Sequence, residues 1–232
     1  MNSLKALALA ATLATSGGAH AALVSFTGTG LQIPGADAAG VSVDIHVLDT
    51  RLIVASGDNV TLSLFDFEHN AMMALAVTLE HVGSGAGTQT VFDQVLASGG
   101  LVSFNGLYGD YAFNSGASTT LRDEVDALDR IGRIPSGTYL PTLADDATAS
   151  ELSSAWNGES VAGVWRLHLA DHWSSAESDV GWDWRLDIEV EDAAAVPEPA
   201  TLPLLLAAAG LAPAWRRYRA QRRQKRRLEN TG

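Results

Sequence analysis

The 232-residue sequence contains no cysteine. That excludes disulfides, thiol nucleophiles and thiolate zinc sites. Positive charge is scarce where a folded domain would lie. Eight of the fifteen Lys and Arg residues fall within residues 216–227, and Lys5 stands near the N-terminus. The body keeps six arginines (Arg51, Arg122, Arg130, Arg133, Arg166 and Arg185) against twenty-five acidic residues, a net charge near −19. Such a surface disfavours nucleic acid and anionic lipid and is compatible with divalent cations. Long apolar runs are missing too: residues 202–215 fall short of the roughly 20 that span a bilayer comfortably, and they include Pro203, Gly210 and Pro213. There is no HExxH and no DxDxDG string. Gly158-Glu159-Ser160 lacks the second glycine of a nucleophile elbow, and the Gly83, Gly85 and Gly87 spacing lies outside a strand-to-helix transition, so a dinucleotide site is rejected. No fixed period appears, which argues against a solenoid or propeller.

The two ends read as addresses. Residues 1–21 combine Lys5, a short apolar core over residues 6–15, and Ala19-His20-Ala21, which fits small-x-small cleavage. A signal peptide cut after Ala21 is expected, with signal peptidase as its processing partner. Residues 193–232 begin with a linker. Val196, Pro197, Glu198 and Pro199 then open a rigid extended element, followed by the apolar segment and the arginine cluster, which holds to the cytoplasmic side. This order, with VPEPATL at its head, resembles the PEP-CTERM sorting signal of Gram-negative bacteria. The resemblance implies recognition and removal by exosortase, transient anchoring in the inner membrane by a transmembrane segment, and delivery to the cell surface or extracellular matrix.

Between them, residues 22–192 read as strands. Val41, Val43, Ile45 and Val47 alternate with Ser42, Asp44 and His46; Val60, Leu62 and Leu64 follow a Gly57-Asp58-Asn59 turn; Leu75, Val77 and Leu79 give a third strand. His46 falls on the outer side. Residues 66–70 read as including a loop, and residues 81–100, rich in Gly, Ser and Thr, as a mobile loop. Residues 104–113 read as an aromatic-rich strand or hairpin edge. Leu121, Val125 and Leu128 mark the one candidate helix, over residues 121–131, with an irregular excursion as the equal alternative, and residues 134–141 read as a turn with a short extended piece. Trp165, Leu167 and Leu169 alternate with Arg166 and His168, and Trp182, Trp184, Leu186, Ile188 and Val190 with Asp183, Arg185, Asp187 and Glu189. Many strands, Gly-rich turns and almost no helix predict an all-β protein built as a β-sandwich.

A second resemblance rests on Asn157-Gly158, Gly163 through Trp165 to Leu167, Asp171, Gly181, and Trp184 to Leu186. This series, with Ile33-Pro34 and the strand over residues 41–47, is similar to the P domain of proprotein convertases. It implies a jelly-roll sandwich of about eight antiparallel strands with no active site of its own, an accessory to a subtilisin-like protease. The family's Pro-Gly turn is replaced here by residues 65–70.

Candidate ligands are few. The polar loop from Asp171 to Gly181 offers Asp171, Glu177, Asp179 and Asp183 as oxygen donors for calcium. His168 and His172, four apart, would pair on a helix but diverge on a strand that ends in a loop. Trp173 in the loop is the indole open to sugar stacking, whereas Trp165, Trp182 and Trp184 fall on core faces. The reading is an exported, non-enzymatic module for adhesion or matrix interaction, with exopolysaccharide or surface proteins as partners. The alternatives are a calcium- or carbohydrate-binding module and an accessory domain of a secreted protease.

Overall fold

Alternating strands bury one face each, and two such faces must meet. The computed structural model describes residues 21–97, 100, 104–128, 131–143, 151–172 and 181–191. Residues 1–20 of the expected leader, with Ala19, and the sorting tail with Val196, Pro197, Glu198 and Pro199 lie outside these residues, whereas Ala21, the last residue of that leader, opens the first strand opposite Glu191. The described strands are β1 (Ala21–Thr29), β2 (Val41–Val47), β3 (Val60–His69), β4 (Leu75–His81), β5 (Thr88–Asp93), β6 (Phe104–Phe113), β7 (Ile131–Ile134), β8 (Gly137–Tyr139), β9 (Gly163–Asp171) and β10 (Asp183–Glu191). Helix α1 (Leu121–Ala127) and a 3-10 turn at Met72–Ala74 interrupt them. The chain is an all-β sandwich. One sheet runs β1-β10-β3-β6-β7, with β8 also pairing β6, and the other runs β2-β9-β4-β5. Every pairing is antiparallel except those of β6 with β7 and β8.

The alternation read in the sequence survives as alternating burial. In β10, Trp184, Leu186, Ile188 and Val190 are buried while Asp183 and Glu189 are exposed. In β9, Trp165, Leu167 and Leu169 are buried, and in β2 His46 is exposed. The four largest fully buried side chains are Trp156, Trp165, Trp182 and Trp184. Trp165 stands at their junction: Trp156 meets it edge-on at 4.9 Å and the His81 ring stacks on it at 4.4 Å. Three of the four indole N–H groups have partners, as buried donors usually do: Trp165 donates to the Val161 carbonyl, Trp156 to Ser84 Oγ and Trp182 to the Leu31 carbonyl, whereas Trp184 Nε1 is buried without one among the described residues.

The glycine of the Gly-x-Trp strand has a steric reason. Gly163 sits at φ +143°, and a β-carbon there would lie 2.6 Å from His81 Nε2, whose ring nitrogen contacts the Ala162 carbonyl at 3.1 Å. The Asn157-Gly158 turn is equally specified. Asn157 Oδ1 accepts from Asn59 Nδ2 at 2.9 Å, and Asn157 Nδ2 donates to the Gly57 carbonyl. Two turns a hundred residues apart are thereby tied together.

Three segments depart from the sequence reading. Residues 66–69 are strand, because a bulge inserts one residue into β3 between Leu64 and Phe67. Asp66 takes φ +49° there, so Val60, Leu62 and Leu64 face inward before it and Phe67 and His69 after it. A straight strand would have turned Asp66 and Glu68 into the core instead. Within the expected loop over residues 81–100 lies β5, which also carries a bulge that buries both Val91 and Phe92. The helix stops at Ala127 and Ile131 opens β7. Its start is fixed by a capping box in which Thr120 and Asp123 satisfy each other's backbone N–H. Leu52 and Ile53 make single bridges to Ser160 and Val190.

Gly163→Ala adds a side chain where both the backbone angle and His81 oppose it, whereas Gly158→Ala meets only the angle, φ +78° with nothing within 4 Å. Strain of this kind costs about 1–3 kcal/mol per residue. Gly163→Ala is expected to lower the melting temperature by several degrees, and by more than Gly158→Ala does. Thermal unfolding of the two variants side by side checks it.

Candidate functional site

Of the four residues offered for calcium, Asp171 and Asp183 are described, and they stand on strands of different sheets. Asp171 is the last residue of β9 and is fully buried, so it is a strand terminus inside the sandwich and not a loop ligand. Asp183 opens β10 in the other sheet, exposed opposite Thr29 and Phe65. Glu177, Asp179 and the sugar-stacking candidate Trp173 lie outside the described residues. Among the described residues no group of three or more His, Asp or Glu side chains is placed to hold a metal ion. His168 and His172 part as expected. His168 is half-buried on the outer side of β9, and His172 lies exposed beyond the strand, with its backbone N–H on the Ala74 carbonyl.

Asp171 instead meets His69, the last residue of β3. Their closest atoms, His69 Nε2 and Asp171 Oδ2, are 3.3 Å apart, and both side chains are wholly excluded from solvent. The pair therefore joins the two sheets at one end of the core. His69 Nδ1 accepts the Ala71 backbone N–H, so the ring proton of the neutral form sits on Nε2, toward the carboxylate. Burial drives the imidazole below its ordinary value, and the nearby Asp171 only partly offsets this. No sequence pattern signals the pair, because its members are 102 positions apart in separate strands.

The outer face of the β2-β9-β4-β5 sheet carries an ordered polar array. Cross-strand register lines up Asp44, Arg166, Glu80 and Thr88 in one row and Ser42, His168, Thr78 and Thr90 in the next. Ser42, Thr78, Glu80, Thr88, Arg166 and His168 line a shallow cleft of about 270 Å³. Arg166 donates through Nε and an Nη to both oxygens of Asp44, at 2.9 and 3.0 Å. That fork holds the Asp44 carboxyl below the usual carboxylate range and raises the guanidinium. Ser42 Oγ lies 3.0 Å from His168 Nδ1. The two side chains meet across the edge strand β2 and its neighbour β9. The face is suited to hydrogen bonding with a polar partner.

The opposite sheet has its own cleft, of about 330 Å³, beside the β3 bulge. Its floor includes Tyr111, whose hydroxyl accepts from the Tyr108 N–H and donates to the Ile134 carbonyl, both at 2.8 Å. Burial raises that phenol, and pushes the neighbouring Tyr139 up to about 12, so both stay protonated donors.

No protein-family model matches the chain, and no curated protein sequence matches it. Solved structures with partial likeness include the serine protease of Aeromonas sobria in complex with its chaperone ORF2. That match has 15% identity, covers 74% of this chain and 28% of that chain, and has a TM-score of 0.39. The Aeromonas sobria serine protease by itself gives 13% identity over 73% of this chain and 27% of that chain, with a TM-score of 0.36. The chain thus spans under a third of the length of these structures. Likeness at these values carries no functional argument.

The buried imidazole has a pH signature. A His whose folded pKa lies below its ordinary 6.5 binds fewer protons folded than unfolded in that window. Stability is complete above pH 6.5 and is lost as pH falls through 6.5 toward the folded value. The unfolding midpoint in urea is expected to drop between pH 7.5 and 5. In His69→Gln the slope over that range flattens, whatever the offset in absolute stability.

Proposed function

We propose that the chain is an exported, non-enzymatic interaction module, sorted through exosortase to the cell envelope or extracellular matrix of a Gram-negative bacterium. The observation that carries this reading is the tripartite tail: Val196, Pro197, Glu198 and Pro199, then an apolar segment, then eight basic residues. It follows a domain of the opposite charge. The net charge near −19 in the body and the basic cluster in the tail are what a detachable address on an acidic cargo requires. A cysteine-free sandwich suits export, since it needs no oxidising machinery to hold its core. Its polar outer faces, with charged and hydroxyl side chains in register across strands, support recognition of polar partners at a surface.

A second reading is favoured by the role of the motif residues. Asn157, Gly163, Trp165, Asp171 and Trp184 each hold a structural post in the sandwich. That is what a P-domain-like framework asks of them, and it supports an accessory domain working beside a secreted subtilisin-like protease. Co-purification of protease activity with the chain from culture fluid separates this reading from the first.

Mass spectrometry of the mature termini tests sorting directly. The expected N-terminus is Ala22, and the expected C-terminus lies near Pro199 in cells with exosortase and further downstream in cells without it. A full-length chain recovered from the cytoplasm in both strains overturns the proposal.

A further inference from the structure

We infer that the cleft beside the β3 bulge is a binding site for a neutral saccharide, held between Arg185 on one wall and Asp110 with Ser136 on the other. This rests on the reading of the chain as a surface interaction module and names the ligand class of one of its faces. The two walls are built differently, and both are fixed before any ligand arrives. Arg185 projects from the outer side of β10 with 41% of its side chain exposed, and its Nε donates to Asp187 Oδ2 at 2.8 Å. Its guanidinium lies over the Phe65 ring, 5.0 Å from the centroid. Anchored at Nε and stacked on an aromatic, it directs its terminal N–H groups into the cleft as a rigid fork of donors.

The facing wall is set by the bulge. Asp66, at φ +49°, sends its backbone N–H to Asp110 Oδ1 at 3.0 Å. The Asp110 N–H is in turn received by Ser136 Oγ at 3.0 Å. Gly109 makes that approach feasible: at φ +150°, a β-carbon on it would lie 2.3 Å from Ser136 Oγ. Asp110 is thus held by one oxygen and presents the other as an acceptor, and Ser136 keeps its hydroxyl proton to donate. Bulges re-aim side chains and occur often beside binding sites, and Asp tolerates the positive φ that this one needs.

The cleft therefore offers a donor fork, an acceptor carboxylate and a hydroxyl around the half-buried Phe65 and Ala112. A ligand that answers all of them must donate and accept at adjacent positions and carry an apolar face. Vicinal hydroxyls on a pyranose ring do this. A phosphate, sulfate or uronate meets Arg185 well but is repelled by Asp110, Asp187 and the acidic body. A cation is repelled by Arg185.

Affinity electrophoresis of the purified full-length chain tests the site. Native gels cast with dextran, galactomannan, amylopectin or alginate serve as probes. Retardation is expected in at least one neutral polysaccharide and not in alginate. Asp110→Asn keeps a carbonyl for the Asp66 N–H, and Arg185→Lys keeps the charge without the fork, so both are expected to fold, as an unchanged melting temperature will register. Each is expected to weaken binding about tenfold or more, the scale of one charge-assisted hydrogen bond. Arg166→Ala, on the other sheet, leaves retardation intact. No retardation in any neutral gel, retardation by alginate alone, or undiminished binding in both cleft variants overturns the site. The measurement uses isolated protein, so it fails or succeeds independently of exosortase sorting, which the mature termini report.

Discussion

The sandwich depends on large indoles being seated where other residues have no β-carbon. Trp182 and Trp184 at the start of β10 lie against Gly30 and Gly28 at the end of β1. A β-carbon at Gly30 would sit 2.0 Å from the Trp182 ring, and one at Gly28 would sit 2.4 Å from Trp184 Nε1. Trp165 and the His81 ring stacked on it require the same concession from Gly163. Each indole buries a large apolar surface, and truncating one to alanine in a packed core costs about 3–5 kcal/mol. With no disulfide available, this interlock between glycine slots and tryptophans is what carries a domain of this size.

The interlock also explains where polar chemistry is allowed. The core is mostly apolar, with buried polar side chains at Asn105, Ser153 and His81 and, at one end, His69 of one sheet against Asp171 of the other. That pair bridges the end of β3 to the end of β9. Most other charged side chains face outward. On one sheet that yields the Asp44–Arg166 fork with Ser42 and His168, and on the other the Arg185–Phe65 stack facing Asp110. The β3 bulge connects the two effects, since it turns His69 inward and supplies the Asp66 N–H that holds Asp110 outward.

Legibility of these features in the sequence follows their range. The strands β2, β4, β9 and β10 were readable because period-two alternation is local, and the same alternation put Trp165, Trp182 and Trp184 on the core side. The bulge was hard to read: VTLSL and FDFEH each alternate, the inward set changes phase between Leu64 and Phe67, and the pairing with β6 shows that one residue is extra. Strand β5 was hidden because TQTVFD is short and its bulge breaks the alternation by burying Val91 and Phe92 together. The assignment of Asp171 to a rim loop failed for a related reason. A carboxylate at a strand end looks the same in sequence whether it faces solvent or, as here, a histidine from a strand 102 positions earlier. The glycines could be read as turn or loop residues, but the slots at Gly28 and Gly30 exist only because β1 and β10 pair.

Glycine slots and indoles form one interlocking unit. A double-mutant cycle between Gly30 and Trp182 tests it most directly, with Gly30→Ala, Trp182→Leu and the double variant compared by urea unfolding. If the added methyl is costly because the indole fills its space, Gly30→Ala loses most of its cost in the Trp182→Leu background, with a coupling above about 1 kcal/mol. Costs that add to within about 0.5 kcal/mol would contradict the interlock and leave Gly30 as an ordinary strand-end glycine.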